Sequence, residues 1–296
     1  MIIRTINFFF SFIADHVNHR LCVVPHTAAY KLEGDVPRPG HYGKLWLAAR
    51  RFGAWFSRVI GIRLFVIRKG SNVKWKIAKK DTQDILKSVD YDRVIALRSA
   101  TLAKHQAQEE NANDVDGAWK FLDIDLWVPV NLERAYHLGL HSSEPLDILD
   151  ISGGAGYFAY ICKHFGHRVH TTDIDQWEEF NEMMGIFGLT RDVLWVNPME
   201  PIPSYGRKFD LITSYMIAFN FPRVEASRWG IEEWDFLLRD LEDNHLKEDG
   251  TIYLLLNPHE DGAWYSPELL KFFRDRGAEV NDAEVIIRKG TPALLR

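Results

Sequence analysis

The chain has 296 residues, 46% of them hydrophobic and 26% charged, with 36 Lys plus Arg against 41 Asp plus Glu and a formal net charge of -5. Its 18 Phe, 10 Tyr and 10 Trp exclude a disordered chain, and two cysteines, Cys22 and Cys162, are too few for a disulfide framework or a zinc cluster. The charge is unevenly spread: residues 1–80 carry 15 of the basic residues and three acids (Asp15, Glu33, Asp35), which leaves 21 bases and 38 acids for residues 81–296.

The apolar start, Ile6 to Ala14, is followed at once by Asp15, His16 and His19 with no small-residue cleavage site, so the expectation is a cytoplasmic protein. Tyr30 to Gly43, with Pro37 and Pro39 among its glycines, is loop chemistry. From Lys44 to Ile60 the pattern is helical: Leu45, Phe52, Phe56, Val59 and Ile60 share one face, and Lys44, Arg51 and Arg58 line the other. Ile62 to Ile67 reads as a strand. Residues 44–69 cannot span a bilayer, because Arg50, Arg51, Arg58 and Arg63 interrupt them. The basic helix has three readings: it packs on the acidic half of the chain, it makes peripheral contact with the inner face of a membrane, or it receives an anionic acceptor. Nucleic acid is disfavoured by the acidic total and the lack of a binding motif. Asp81 to Lys104 predicts one or two helices, and polar His105 to Gly117 marks a boundary. The organisation expected is an accessory region over 1–120 and a second domain over 121–296.

That second part alternates. A helix over Asn131–Leu140 leads to a strand over Leu146–Asp150, a turn at Ser152–Gly156, and a helix over Tyr157–Phe165. A strand over Arg168–Thr172 ends in Asp173-Ile-Asp175. Helix Gln176–Phe187, strands Val193–Val196 and Phe209–Ser214, a helix around Glu232–His245 and strand Thr251–Leu256 follow. Such alternation predicts an α/β fold with a doubly wound, mostly parallel sheet.

Glycines between a strand and a helix allow a ligand close to the backbone, beyond the carboxyl ends of the strands. Gly154-x-Gly156-x-x-Ala159 alone passes as a dinucleotide fingerprint, and equally as a tight turn with no ligand. Two acids shift the choice. Asp150 precedes the turn, where it would repel a pyrophosphate, and Asp173 closes the next strand, where a carboxylate can accept ribose hydroxyls. With no Lys or Arg in the turn, the pair favours a cationic nucleoside, and S-adenosylmethionine is a ligand of that kind.

At these residues the chain resembles the class I S-adenosylmethionine-dependent methyltransferases, whose first motif runs acid-x-Gly-x-Gly-x-Gly. Asp150, Ser152, Gly154 and Gly156 occupy those places, with serine for the first glycine. The runs Ile202-Pro203 to Thr213 and Leu246 to Tyr253 resemble the family's approach to its fourth and fifth strands. The resemblance covers roughly residues 125–290 and implies a Rossmann-like methyltransferase fold. It implies cofactor contacts from Asp150, Ser152, Gly153, Gly154, Gly156, Asp173, Ile174 and, near the adenine, Asn197. Ala278 to Lys289 is short for the family's final hairpin unless Asn281-Asp282 makes its turn.

The activity implied is methyl transfer to a small molecule or to a glycan or lipid-linked precursor. Catalytic candidates follow the fourth and fifth strands: Tyr215 and Asn220, then Asn257, His259, Glu260 and Asp261, with His259 and Tyr215 placed first. No metal is expected, since His259-Glu-Asp261 are adjacent and do not converge on one ion. Trp229, Trp234 and Trp264 would flank the acceptor, although at least two are expected in the core; Trp177 would cover the adenine or pack a helix. The spaced pairs His16/His19 and His137/His141 read as structural or surface residues. Two other functions remain open: a nicotinamide-dependent oxidoreductase, and a non-catalytic binding subunit on the same fold.

Overall fold

Residues 147–151 read Asp-Ile-Leu-Asp-Ile, and every side chain after Asp147 is buried, as in a strand covered on both faces. The computed structural model describes residues 72–108, 118–217, 228–259 and 262–290. The basic helix expected at 44–60, the strand at 62–67, His16, His19, Asn220, Glu260 and Asp261 lie outside the described residues.

Two helices come first, α1 (Asn72–Ser88) and α2 (Tyr91–Gln108), then a short 3-10 turn at Ala118–Leu122 and helix α3 (Ile124–His137). The alternating part follows: β1 (Asp147–Ile151), α4 (Tyr157–His164), β2 (Arg168–Asp173), α5 (Glu178–Ile186), β3 (Asp192–Val193) and β4 (Phe209–Ile217). It continues through α6 (Ile231–Asp240), which runs into a π-helical turn at Leu241–His245, then β5 (Leu246–Leu256), α7 (Pro267–Asp275), β6 (Glu279–Asn281) and β7 (Glu284–Arg288).

The strands form one seven-stranded sheet in the order β3-β2-β1-β4-β5-β7-β6. β1 pairs in parallel with β2 and β4, and β3 and β5 extend the sheet in parallel on either side. Only β7 runs against its neighbours. The doubly wound, mostly parallel sheet expected from the alternation is therefore present, with its closing hairpin. Asp282 turns that hairpin at φ 52, a left-handed conformation that aspartate tolerates better than most residues, and the Tyr265 hydroxyl donates to its carbonyl at 2.7 Å.

Several element boundaries differ from the sequence reading, and three of them have a visible cause. Helix α3 starts at Ile124 rather than Asn131, because Asp123 caps it by accepting the Leu126 N–H at 3.3 Å, and buried Trp127 and Val128 hold it to the core. Pro129 lies inside it on an exposed face. Strand β3 keeps only two residues: the Leu194 N–H donates to the Asp173 carbonyl at 2.9 Å, where β2 ends and pairing stops. Strand β5 begins earlier, at Leu246, with residues 247–250 bulging between two registers against β4.

The core on the α6–α7 side gathers Trp234, Phe209, Phe273, Leu246 and Ile252, and Trp229 and Trp264 pack against it. All three tryptophans that could have flanked an acceptor are thus tied to packing. On the other face, contacts run across residue 120. The Tyr136 hydroxyl donates to Asp81 at 2.5 Å, Ser88 and Tyr160 share a hydrogen bond at 2.8 Å, and Arg98 pairs with the α3 cap Asp123 at 2.8 Å. The described residues belong to one compact unit that runs from Ser71. No helix among them is long and apolar enough to cross a membrane.

Candidate cofactor site

The parallel register fixes the base of the site. Asp150 is the partner of Thr171 on β2 and of Thr213 on β4, and in-register neighbours in a parallel sheet point to the same face. The Thr213 hydroxyl donates to Asp150 Oδ1 at 2.8 Å and the Thr171 hydroxyl to Oδ2 at 3.2 Å. Asp150 is 1% exposed. Burial pushes its carboxyl up to about 7, against the pull of the two hydroxyls and of Arg134. The acid ahead of the turn is therefore a buried strut between strands.

Gly153 closes over that strut. A Cβ there would lie 2.8 Å from Asp150 Oδ2 and would collide with the Thr171 hydroxyl, so only glycine lets the backbone cross this point. The turn around it is left-handed, at Ser152 (φ 64), Gly154 (φ 57) and Gly156 (φ 85). Ser152 thus takes the left-handed backbone itself, without the glycine the family motif places there. Ser152, Gly153 and Gly154 stay half-exposed at the carboxyl end of β1, where the backbone is accessible to a ligand.

Asp173 sits beside this opening. Its Oδ2 accepts the Gly154 N–H at 2.5 Å and its Oδ1 accepts the Ile174 N–H at 2.7 Å. Burial raises its carboxyl above the ordinary range, opposed by those two N–H groups and by Arg191. Arg191 donates to Asn181 at 2.9 Å and to Asp175 at 3.3 Å, which fixes the segment between β2 and α5. Ile174 is half-exposed next to the acid. An aromatic wall stands nearby: Trp177 packs edge-on against Phe180 at 5.0 Å, and Phe121 from the 3-10 turn lies 5.6 Å from Trp177. Phe180 approaches Gly154 directly.

The remaining candidates make none of these hydrogen bonds. Asn197 is exposed in a turn, its amide donating to Glu200 at 2.8 Å. Asn257 ties the ends of β4 and β5, donating to the Met216 carbonyl at 2.7 Å and the Ile217 carbonyl at 3.1 Å. His259 is half-buried in the turn after β5, where its N–H meets the Ala263 carbonyl at 2.6 Å. Tyr215 is 7% exposed, its hydroxyl is buried and without a hydrogen-bond partner among the described residues, and burial holds that hydroxyl well above its ordinary range. The Arg134 guanidinium lies over its ring at 4.3 Å. His137 meets Glu284 at 3.3 Å, and His141 stacks on Tyr136 at 4.1 Å, so both serve packing or the surface. Among the described residues no group of three His, Cys, Asp or Glu side chains could hold a metal ion.

Sequence reasoning missed Thr171, Thr213, Phe121 and Arg134. The two threonines could have been found by aligning the strands on Asp150. Phe121 and Arg134 come from segments ahead of the motif, and no local pattern connects them to it.

A seven-stranded sheet with one reversed strand near its edge, and an open glycine turn after its first strand, is the Rossmann-like methyltransferase fold. No protein-family model and no curated protein matches the chain. Among solved structures it is similar to the ribosomal protein L11 methylase of Lactobacillus delbrueckii subsp. bulgaricus, at 19% identity and a TM-score of 0.34, over 55% of this chain and 77% of that one. It is also similar to an O-methyltransferase family protein from Burkholderia thailandensis, at 12% identity and a TM-score of 0.39, over 57% of this chain and only 58% of that one. A third is the 1,6-didemethyltoxoflavin-N1-methyltransferase of the same organism, with bound 1,6-didemethyltoxoflavin and S-adenosylhomocysteine, at 17% identity and a TM-score of 0.39, over 68% and 89%.

Proposed function

We propose that the chain is an S-adenosylmethionine-dependent methyltransferase acting on a small-molecule acceptor. One observation carries the reading: the accessible Ser152–Gly154 backbone is hydrogen-bonded to a carboxylate, Asp173, that faces the same opening. The residues fit that cofactor in their chemistry as well. Asp173 would accept the ribose hydroxyls, Ile174 would lie against the adenine, and the half-exposed turn would support the chain between them. From residue 147 to 162 there is no Lys or Arg, and the acid Asp150 lies buried at the base of the turn, so these residues offer a pyrophosphate no countercharge and tolerate a sulfonium.

When bound, S-adenosylmethionine supplies a methyl group already activated by the positive sulfur. The protein's share is then alignment, which can lower a barrier by roughly 7–11 kcal/mol. His259, in the turn after β5, is the residue we assign to take a proton from a hydroxyl acceptor, and an amine or thiolate acceptor would not need it.

Titration calorimetry with S-adenosylhomocysteine tests the reading. Binding is expected, and Asp173→Ala is expected to weaken it by about one to two orders of magnitude, the worth of hydrogen bonds to a charged group. No binding at high micromolar ligand, or tight NADH binding in its place, would overturn the proposal.

A further inference from the structure

Among the described residues, Arg134 is a cation without an ion pair. It lies on α3, three residues before the helix ends, and its guanidinium rests on the Tyr215 ring at 4.3 Å. One nitrogen donates to the Asn131 side chain at 2.9 Å, and Asn131 is itself anchored to the Trp127 carbonyl at 2.9 Å. Among the described residues no carboxylate comes within ion-pair distance of it. A guanidinium has five N–H donors in a flat fork suited to a carboxylate. Here only one of them has an acceptor among the described residues, and the side chain as a whole is half-buried.

Its position across the sheet gives the unused fork a meaning. The order β2-β1-β4 sets out three features along the carboxyl edge. Asp173 ends β2, the glycine turn follows β1, and Tyr215, under Arg134, lies near the end of β4. With strands spaced by about 4.8 Å, β2 and β4 are roughly 10 Å apart. A nucleoside held by its ribose at Asp173 and crossing the turn points its other end toward β4. In a nucleoside with an amino-acid tail, that end carries a carboxylate.

We propose that Arg134, seated on Tyr215 and aligned by Asn131, binds the α-carboxylate of the cofactor's amino-acid tail. The inference rests on the methyltransferase reading above. It also explains Tyr215: the ring is the shelf on which the guanidinium rests, while the hydroxyl has no hydrogen-bond partner among the described residues. The alternative task for Arg134 is internal, as a countercharge to Asp150, whose buried carboxyl it helps to hold down.

Calorimetry with two ligands separates these tasks. S-adenosylhomocysteine carries the carboxylate, and methylthioadenosine is the same thioether nucleoside without the amino-acid tail. For Arg134→Gln, the affinity for S-adenosylhomocysteine should fall by about 10- to 100-fold while that for methylthioadenosine is unchanged. Arg134→Lys, which keeps the charge and loses the fork, should recover part of the loss. Unchanged methylthioadenosine binding also shows that each variant is folded. Equal losses for both ligands, or no loss for either, would overturn the inference and leave the methyltransferase reading standing. If the unaltered protein binds neither ligand, the functional reading itself falls, and this assignment falls with it.

Discussion

The Asp173 carboxylate receives the Gly154 amide hydrogen at 2.5 Å on one oxygen and the Ile174 amide hydrogen at 2.7 Å on the other, so the end of β2 and the turn after β1 form one unit. Asp173→Asn tests that unit without changing its size. An asparagine has one oxygen, so whichever way its amide faces, an NH2 group opposes one of the two backbone donors. The variant should lose about 1–3 kcal/mol, the cost of an unmade hydrogen bond at a buried donor. Denaturant unfolding would show it, and faster amide exchange at Gly154 or Ile174 would locate it.

Asp150 makes stability depend on pH. Its carboxyl is raised to about 7 in the folded chain, whereas an unfolded aspartate titrates near about 3.9. Between those values the native state keeps a proton that the unfolded state has released. Stability therefore falls as pH rises through this window, and the penalty is complete above it. Asp150→Asn removes the ionisation and keeps an acceptor for Thr213. Measured by denaturant unfolding, wild type should lose ground to the variant between pH of about 5 and about 8, by an amount on the order of a few kcal/mol. A constant difference across that range would show that Asp150 does not titrate there.

Gly153→Ala should be costly although the change is one methyl group. The new carbon would press on Asp150 and on the Thr171 hydroxyl, and overpacking of this kind costs about 1–3 kcal/mol. Adding Thr171→Ala opens space on one side. The double variant should then be more stable than the sum of the single changes predicts, and simple additivity would mean that the collision is relieved elsewhere.

Ser152 offers the opposite change. At φ 64 a side chain costs roughly 1–2 kcal/mol, and Ser152→Gly removes that cost while adding about 0.4–1 kcal/mol of freedom to the unfolded chain. The net expectation is a gain of up to about 1 kcal/mol, seen as a small rise in Tm, with Ser152→Val shifted the other way. A lower Tm for the glycine variant would show that the serine hydroxyl contributes something the backbone does not.

Local signals gave the alternation of strands and helices, the glycine turn and the acid ending β2, because each depends on residues close together in the chain. Burial periodicity marks a strand, and glycine marks a backbone that must turn left-handed. They were weaker at the ends of elements: the pattern starts a helix at Asn131, whereas the Asp123 cap, eight residues upstream, already commits the backbone.

The tertiary structure decided what the acids do. From sequence, Asp150 and Asp173 both read as carboxylates in contact with the cofactor, one ahead of the turn and one at the end of the next strand. Strand register buries the first between Thr171 and Thr213, and leaves the second beside the opening. The same holds for Tyr215 and Arg134, which are 81 positions apart and meet only because α3 packs over the end of β4. Chain order supplies the residue types. Whether a carboxylate faces water, a ligand or a threonine depends on which strands lie next to each other, and that is a long-range property of the sheet.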